Sequence, residues 1–114
     1  MAEEPGELTL RFSELASARL AEIWRWNANK YGAAHATQYL DFLKRKTCTL
    51  QTQYAKGRLV PNRDSYRYMT FKKRARGHGH VVVYQVLPTE IFVLVYVHTA
   101  QDWLRQLEAI LPEA

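Results

Sequence analysis

The sequence predicts an α+β domain: an N-terminal strand, an antiparallel helical hairpin packed on a small, largely antiparallel sheet, and a short C-terminal helix, in the order β-α-α-β-β-β-α. Three observations carry this prediction. Apolar residues recur at three- and four-residue spacing across residues 14–54, in two stretches divided by Gly32. Two β-branched and aromatic runs, His80–Val86 and Ile91–Val97, follow with a short link between them. A segment of strict alternation, Leu8 to Phe12, precedes both.

In chain order, residues 1–7 are polar, include Pro5 and Gly6, and read as a flexible tail before a single domain over residues 8–111. Leu8, Leu10 and Phe12 alternate with Thr9 and Arg11, the pattern of a half-buried strand. Ser13 is placed as a helix N-cap, with Glu14 in the first turn where the macrodipole favours an acid. Ala16, Leu20, Ile23, Trp24 and Tyr31 then share one helical face, and Trp26 lies off it. Lys30 and Gly32 are stop signals. The second helix carries a stripe of Ala36, Tyr39, Leu43, Thr47, Leu50 and Tyr54, broadened by Leu40, and ends at Lys56-Gly57. So short a link makes the helices an antiparallel pair, whose joint apolar face needs a sheet.

Pro61-Asn62 marks a turn, and Tyr66, Tyr68 and Phe71 mark a strand over Ser65–Phe71. Arg67 alternates to the face opposite Tyr66 and Tyr68, which read as core residues. The runs HVVVYQV and IFVLVYV, joined by Leu87-Pro88-Thr89-Glu90, are apolar on both faces and predict a central hairpin covered on both sides. Thr99-x-x-Asp102 resembles a capping box, and Trp103, Leu104, Leu107 and Leu111 form the apolar side of a closing helix.

A chain of 114 residues buries enough surface for one core without disulfide staples. Hydrophobic content of 47% with 24% charge excludes a wholly disordered chain. The longest apolar run falls far short of the roughly 20 residues that span a bilayer. The acidic N-terminus lacks the features of a secretory signal, and a cytoplasmic protein with no membrane contact is expected. The lone Cys48 makes no internal disulfide, and its mid-helix setting among threonines lacks the electropositive site of a reactive thiol.

The net charge of +5 is concentrated. Residues 63–80 hold Arg63, Arg67, Lys72, Lys73, Arg74 and Arg76 against Asp64 alone, a surplus equal to that of the whole chain. Residues 81–114 are net acidic. Such a block attracts polyanions or an acidic protein, and its bland counterpart is a solubilising loop. Gly77-His78-Gly79 is too short for a phosphate-cradling loop and leads into a strand. No nucleophile elbow or carboxylate pair supports hydrolase chemistry. His78, His80 and His98 could approach one another, but no carboxylate or cysteine is placed to complete a zinc site, so no metal or other cofactor is expected. Lys72, Lys73, Arg74, Arg76, His78, His80 and His98 are the candidate target-binding residues, since cations bind phosphate and neighbouring rings can stack on bases.

These segments resemble the RelE/ParE superfamily of toxins from bacterial type II toxin–antitoxin systems over about Leu8 to Leu107. The resemblance is carried by the Leu20-x-x-Ile23 seam, Gly32-x-x-x-Ala36-x-x-Tyr39-Leu40, His80-Val81-Val82-Val83-Tyr84 and Val97-His98-x-x-x-Asp102. The Val-His-x-x-x-Asp ending is closer to ParE, and no tyrosine follows Tyr96, whereas RelE-like enzymes carry a late catalytic one. Gln101 replaces an Arg common in ParE relatives, and the KKRARGHG insert is longer than their usual link. The resemblance implies inhibition of DNA gyrase on DNA, with no catalytic residue, and oligomerisation with an acidic antitoxin whose disordered tail folds across sheet and hairpin. Trp26 is a candidate antitoxin contact. The alternative it implies is a ribosome-dependent mRNA endoribonuclease using His98, Arg67 and Arg76 as acid–base and phosphate-stabilising groups. A third reading is a non-toxic basic interaction domain.

Overall fold

An apolar hairpin with two buried faces needs two covers, and the chain supplies one on each side. The computed structural model describes residues 7–111. Of the predicted tail only Glu7, which is exposed, falls within them. The elements are β1 (Thr9–Phe12), α1 (Glu14–Tyr31), α2 (Ala33–Cys48), α3 (Leu50–Gln53), β2 (Arg58–Val60), β3 (Arg63–Phe71), β4 (His80–Val86), β5 (Glu90–His98) and α4 (Trp103–Ile110). The predicted α+β order stands, with one short strand and one helical turn added. The sheet runs β1-β5-β4-β3-β2; β1 is parallel to β5, and every other pair is antiparallel.

On one face Phe71, Val82, Tyr84, Ile91, Val93 and Tyr96 pack against Ala16 of α1, Phe42 and Leu43 of α2, and Leu50 of α3. On the other, Val81, Val83, Val95 and Val97 pack against Val60, Leu107 and Leu111. Each aliphatic side chain so buried stabilises the fold by roughly 1.5–3 kcal/mol relative to exposure.

Strict alternation along β5 would put Ile91, Val93, Val95 and Val97 on one side. The register instead places Val83 opposite Val95 and Tyr84 opposite Val93, so Leu94 is an extra residue in a β-bulge. Beyond it the phase inverts: Tyr96 turns to the helices, and Val95 and Val97 turn to α4. Ser13 ties this bulge to the start of α1, because its Oγ donates to the Leu94 carbonyl and accepts from the Ala16 amide at 2.9 Å. The predicted N-cap is thus also a tertiary anchor.

Four sequence expectations are corrected. The second helix is not continuous to Tyr54. Thr49 closes a tight turn on the Lys46 carbonyl through both its amide and its hydroxyl, and α3 plus a 3₁₀ turn at Tyr54–Lys56 complete the stripe. Arg58–Val60, to which the sequence assigned no element, pairs with β3 as an edge strand across Pro61-Asn62, where Asn62 takes a left-handed φ of 63°; β3, expected from Ser65, therefore starts at Arg63. Asp102, not Thr99, caps α4, accepting from the Arg105 amide at 3.4 Å. Trp24 and Tyr31 are exposed, and the buried place near the end of α1 goes to Asn27, whose Nδ2 donates to the Ile23 carbonyl at 2.8 Å. No described helix is long and apolar enough to cross a membrane.

Candidate functional site

The cationic residues lie in the loop joining β3 to β4, residues 72–79. Lys72, Lys73, Arg74 and Arg76 are all exposed, and among the described residues none forms an ion pair with a carboxylate. Four cations in five residues repel one another, so the loop needs anchoring at its base. The Gly77 amide donates to the Arg74 carbonyl at 3.1 Å, tightening the tip. Gly79 and Thr99 then exchange two bonds of 3.0 Å: the Gly79 amide donates to Thr99 Oγ1, and the Thr99 amide donates to the Gly79 carbonyl. Gly79 is required there, since a Cβ would stand 2.0 Å from the Phe71 carbonyl oxygen. Thr99, read in the sequence as a helix cap, serves as a loop clamp.

Beneath the loop the three histidines gather as the strand ends predict. His80 opens β4 directly opposite His98, which ends β5. Their rings are 5.1 Å apart edge to face, and His78 lies 5.6 Å from His98 on the outside. The three differ in character. His80 is only 7% exposed, and its Nδ1 lies 2.6 Å from the hydroxyl of Tyr39 on α2. Burial, with a smaller push from His98, lowers its pKa to about 4. Burial raises Tyr39 to about 12. At neutral pH, therefore, a neutral His80 shares a hydrogen bond with an un-ionised Tyr39, so His80 supports the site from below rather than offering it a cation.

His98 is half-buried, and its Nδ1 accepts from the Ala100 amide at 3.1 Å, which leaves the ring proton on Nε2. Its pKa is lowered, first by burial and then by His78. Among the described residues no group of three or more His, Cys, Asp or Glu side chains is arranged to hold a metal ion.

Arg67 stands apart. It pairs with Tyr84, four residues along β4 from His80, roughly 14 Å at the rise of an extended strand. Its Nη1 donates to the Gly57 carbonyl at 2.7 Å, and Gly57 is packed so closely that a Cβ would meet the Tyr84 hydroxyl at 1.9 Å. Arg67 thus braces the end of the 3₁₀ turn against β3. Of the residues named for an RNase, Arg76 and His98 share one end of the sheet, and Arg67 does not join them.

Trp26 is 54% exposed near the tip of the helical hairpin. The Lys30 ammonium lies 4.8 Å from its ring centroid, and Tyr31 meets it edge-on at 6.1 Å. Between α1 and α2 runs an open groove of about 440 Å³ lined by Leu20, Trp24, Leu40, Asp41 and Lys44, where the Trp24 indole donates to Thr37 Oγ1 at 3.3 Å. Sequence reasoning missed Tyr39 and Gly79 as site residues. Tyr39 had the signal of a core stripe only, and its partner is set by where α2 crosses the sheet.

A search of curated protein sequences found no match. Among solved structures, a chain from the chromosomal ParDE toxin–antitoxin system of P. aeruginosa superposes with a TM-score of 0.67 at 19% identity, over 79% of this chain and 94% of that one. At that identity the likeness establishes the fold. The family model described as the ParE toxin of the type II toxin–antitoxin system parDE matches residues 10–103, from β1 to the first residue of α4. With that match spanning both helices of the hairpin, all five strands and the cationic loop, the chain belongs to the ParE toxin family of type II toxin–antitoxin systems.

Proposed function

We propose that this chain inhibits DNA gyrase by binding the enzyme–DNA complex through the β3–β4 loop, and that a cognate acidic antitoxin silences it. The observation that carries the reading is the loop itself. Lys72, Lys73, Arg74 and Arg76 project from a base fixed by Gly79 and Thr99, with His78 and His98 beside them. Preorganised cations without carboxylate partners form a site for phosphate or for an acidic protein surface. The placement of the remaining polar groups favours binding over catalysis. Tyr96 is buried with its hydroxyl 2.7 Å from Thr47 Oγ1, His80 is sealed and neutral, and Arg67 lies along the sheet from His98. Type II antitoxins act by covering their toxins; here the groove between α1 and α2, with Leu20, Trp24 and Leu40 in its lining, and separately the exposed Trp26 offer apolar contacts for such a segment.

The test is a supercoiling assay with purified gyrase, paired with induction of the protein in cells without antitoxin. Inhibited supercoiling, accumulated DNA breaks and intact mRNA are the expected results. Rapid loss of mRNA with undamaged DNA would replace the gyrase reading by the endoribonuclease one, and unaffected growth would leave a non-toxic interaction domain.

A further inference from the structure

The cationic loop is not the only exposed feature at its end of the molecule. Tyr39 meets His80 at the first residue of β4, Thr47 meets Tyr96 further along the sheet, and Gln51 exchanges bonds with Leu8 just before β1. Successive residues of α2 and α3 thus track away from the histidine end of the sheet. The tip of the α1–α2 hairpin, two turns before Tyr39, lies at the same pole as the β3–β4 loop.

That tip is aromatic and solvent-exposed. Trp26 and Tyr31 are 54% and 55% exposed, large values for rings that touch each other. Tyr31 stacks on His35 at 4.7 Å, and Lys30 sits within cation–π reach of both Trp26 and Tyr31, at 4.8 and 5.8 Å. One helical turn separates His35 from Tyr39, about 6 Å. From Tyr39 the ring contacts continue through His80 and His98 to His78, each step between 5.1 and 5.6 Å. Two ring clusters one helical turn apart along α2, Trp26–Tyr31–His35 and Tyr39–His80–His98–His78, therefore lie between the hairpin tip and the cationic loop, with exposed cations at each end.

We propose that this pole is one surface for single-stranded nucleic acid: Trp26 and Tyr31 stack unpaired bases, while Lys30, Lys72, Lys73, Arg74 and Arg76 hold the phosphates. An acidic protein would satisfy the cations but gives no reason to expose two tyrosine- and tryptophan-sized rings beside a lysine. A strand with bases splayed from a polyanionic backbone uses both features. Duplex DNA hides its base faces in the stack and would use only the loop. The proposal rests on the reading of the loop as the target-facing site, and it adds the chemical class of what lies there and a second half of the surface.

The experiment is fluorescence anisotropy of the purified chain with a labelled oligothymidylate of roughly 15 nucleotides across a salt series, with oligouridylate and a blunt duplex of equal length as further arms. Five phosphate contacts on a single strand give a slope of log K against log salt near −3.5. The variant Trp26→Ala/Tyr31→Ala, both positions exposed, should bind at least tenfold more weakly with that slope retained. Replacing Lys72, Lys73, Arg74 and Arg76 by Ala should bring the slope to about −1 or shallower. The deoxy and ribo arms identify which sugar the surface takes. Unchanged affinity in the aromatic variant, or duplex binding as tight as single-strand binding, overturns the proposal. Gyrase inhibition by a protein that binds no oligonucleotide would sink this inference alone; oligonucleotide binding without gyrase inhibition would sink the gyrase reading alone.

Discussion

Replacing His80 with Gln should flatten the acid side of the stability profile. Burial beneath α2 lowers the folded-state pKa of His80 to about 4, against about 6.5 in the unfolded chain. Between those values the unfolded chain binds a proton that the folded chain does not, so stability rises with pH through this window. The contribution is complete above pH 6.5 and is lost as the pH falls towards 4. Integrated from pH 7.5 down to pH 5, the loss from this one residue is about 2 kcal/mol. The groups facing His80 act consistently with this. Tyr39, on α2, is held un-ionised at about 12 and hydrogen-bonds to Nδ1; His98, on β5, opposes a positive charge on the His80 ring.

Gln can pair with the same hydroxyl through its side-chain amide and does not titrate. Urea denaturation of wild type and His80→Gln at pH 7.5 and pH 5 separates the two. With a urea dependence of 1–2 kcal/mol per molar for a chain of this size, the wild-type midpoint should fall by about 1–2 M more than that of the variant. His98 also has a lowered pKa, but its causes are its own burial and His78, so it is present in both proteins and cancels in the difference. Parallel losses in the two proteins would mean that His80 is protonated in the folded state, and the buried Tyr39–His80–His98 arrangement would be wrong.

Changing Lys72, Lys73, Arg74 and Arg76 together to Ala should leave the circular dichroism spectrum and melting midpoint within a few degrees of wild type while reducing growth inhibition at least tenfold; retained toxicity at equal expression would show that the loop only solubilises. Gly79→Ala should destabilise by about 2 kcal/mol or more, because the new methyl would stand 2.0 Å from the Phe71 carbonyl oxygen, and thermal melting will show it. Thr47→Val keeps the shape of the side chain but removes the hydroxyl that donates to the Leu43 carbonyl and pairs with the buried Tyr96 hydroxyl. A loss of about 1–3 kcal/mol in denaturant titration is expected, and an unchanged midpoint would mean that water replaces the partner.

The elements legible in the sequence are those whose pattern is local. The β4–β5 pair and both hairpin helices follow from the spacing of Val, Ile, Leu and aromatic residues. Arg58–Val60 is too short to show a period, and its strand conformation depends on β3 lying beside it. The bulge at Leu94 is invisible for a related reason: IFVLVYV is apolar throughout, so nothing in it reveals where the alternation slips. Yet that slip sends Tyr96 to Thr47 and the two valines to α4. Thr99 and Asp102 both carry capping side chains, and only the position of the β3–β4 loop decides which of them caps the helix.

The candidate site divides along the same line. Its charge was legible because four cations in five residues cannot enter a core, wherever the loop goes. Its internal support was not, because the Tyr39–His80 bond joins residues from two elements whose crossing is a tertiary fact. That support has a consequence for the loop. A charged His80 would add a cation beneath a segment that already carries four, and among the described residues no carboxylate forms an ion pair with it. By sealing His80 in its neutral form, the fold avoids that repulsion and leaves the loop's own charges free for an anion from outside. Acidification acts against the same arrangement: protons entering His98 and His80 would load the base of the loop with charge of the sign already concentrated at its tip. The loop clamp, Gly79 to Thr99, lies next to both histidines in sequence, and so it is the part of the structure that this added repulsion would strain first.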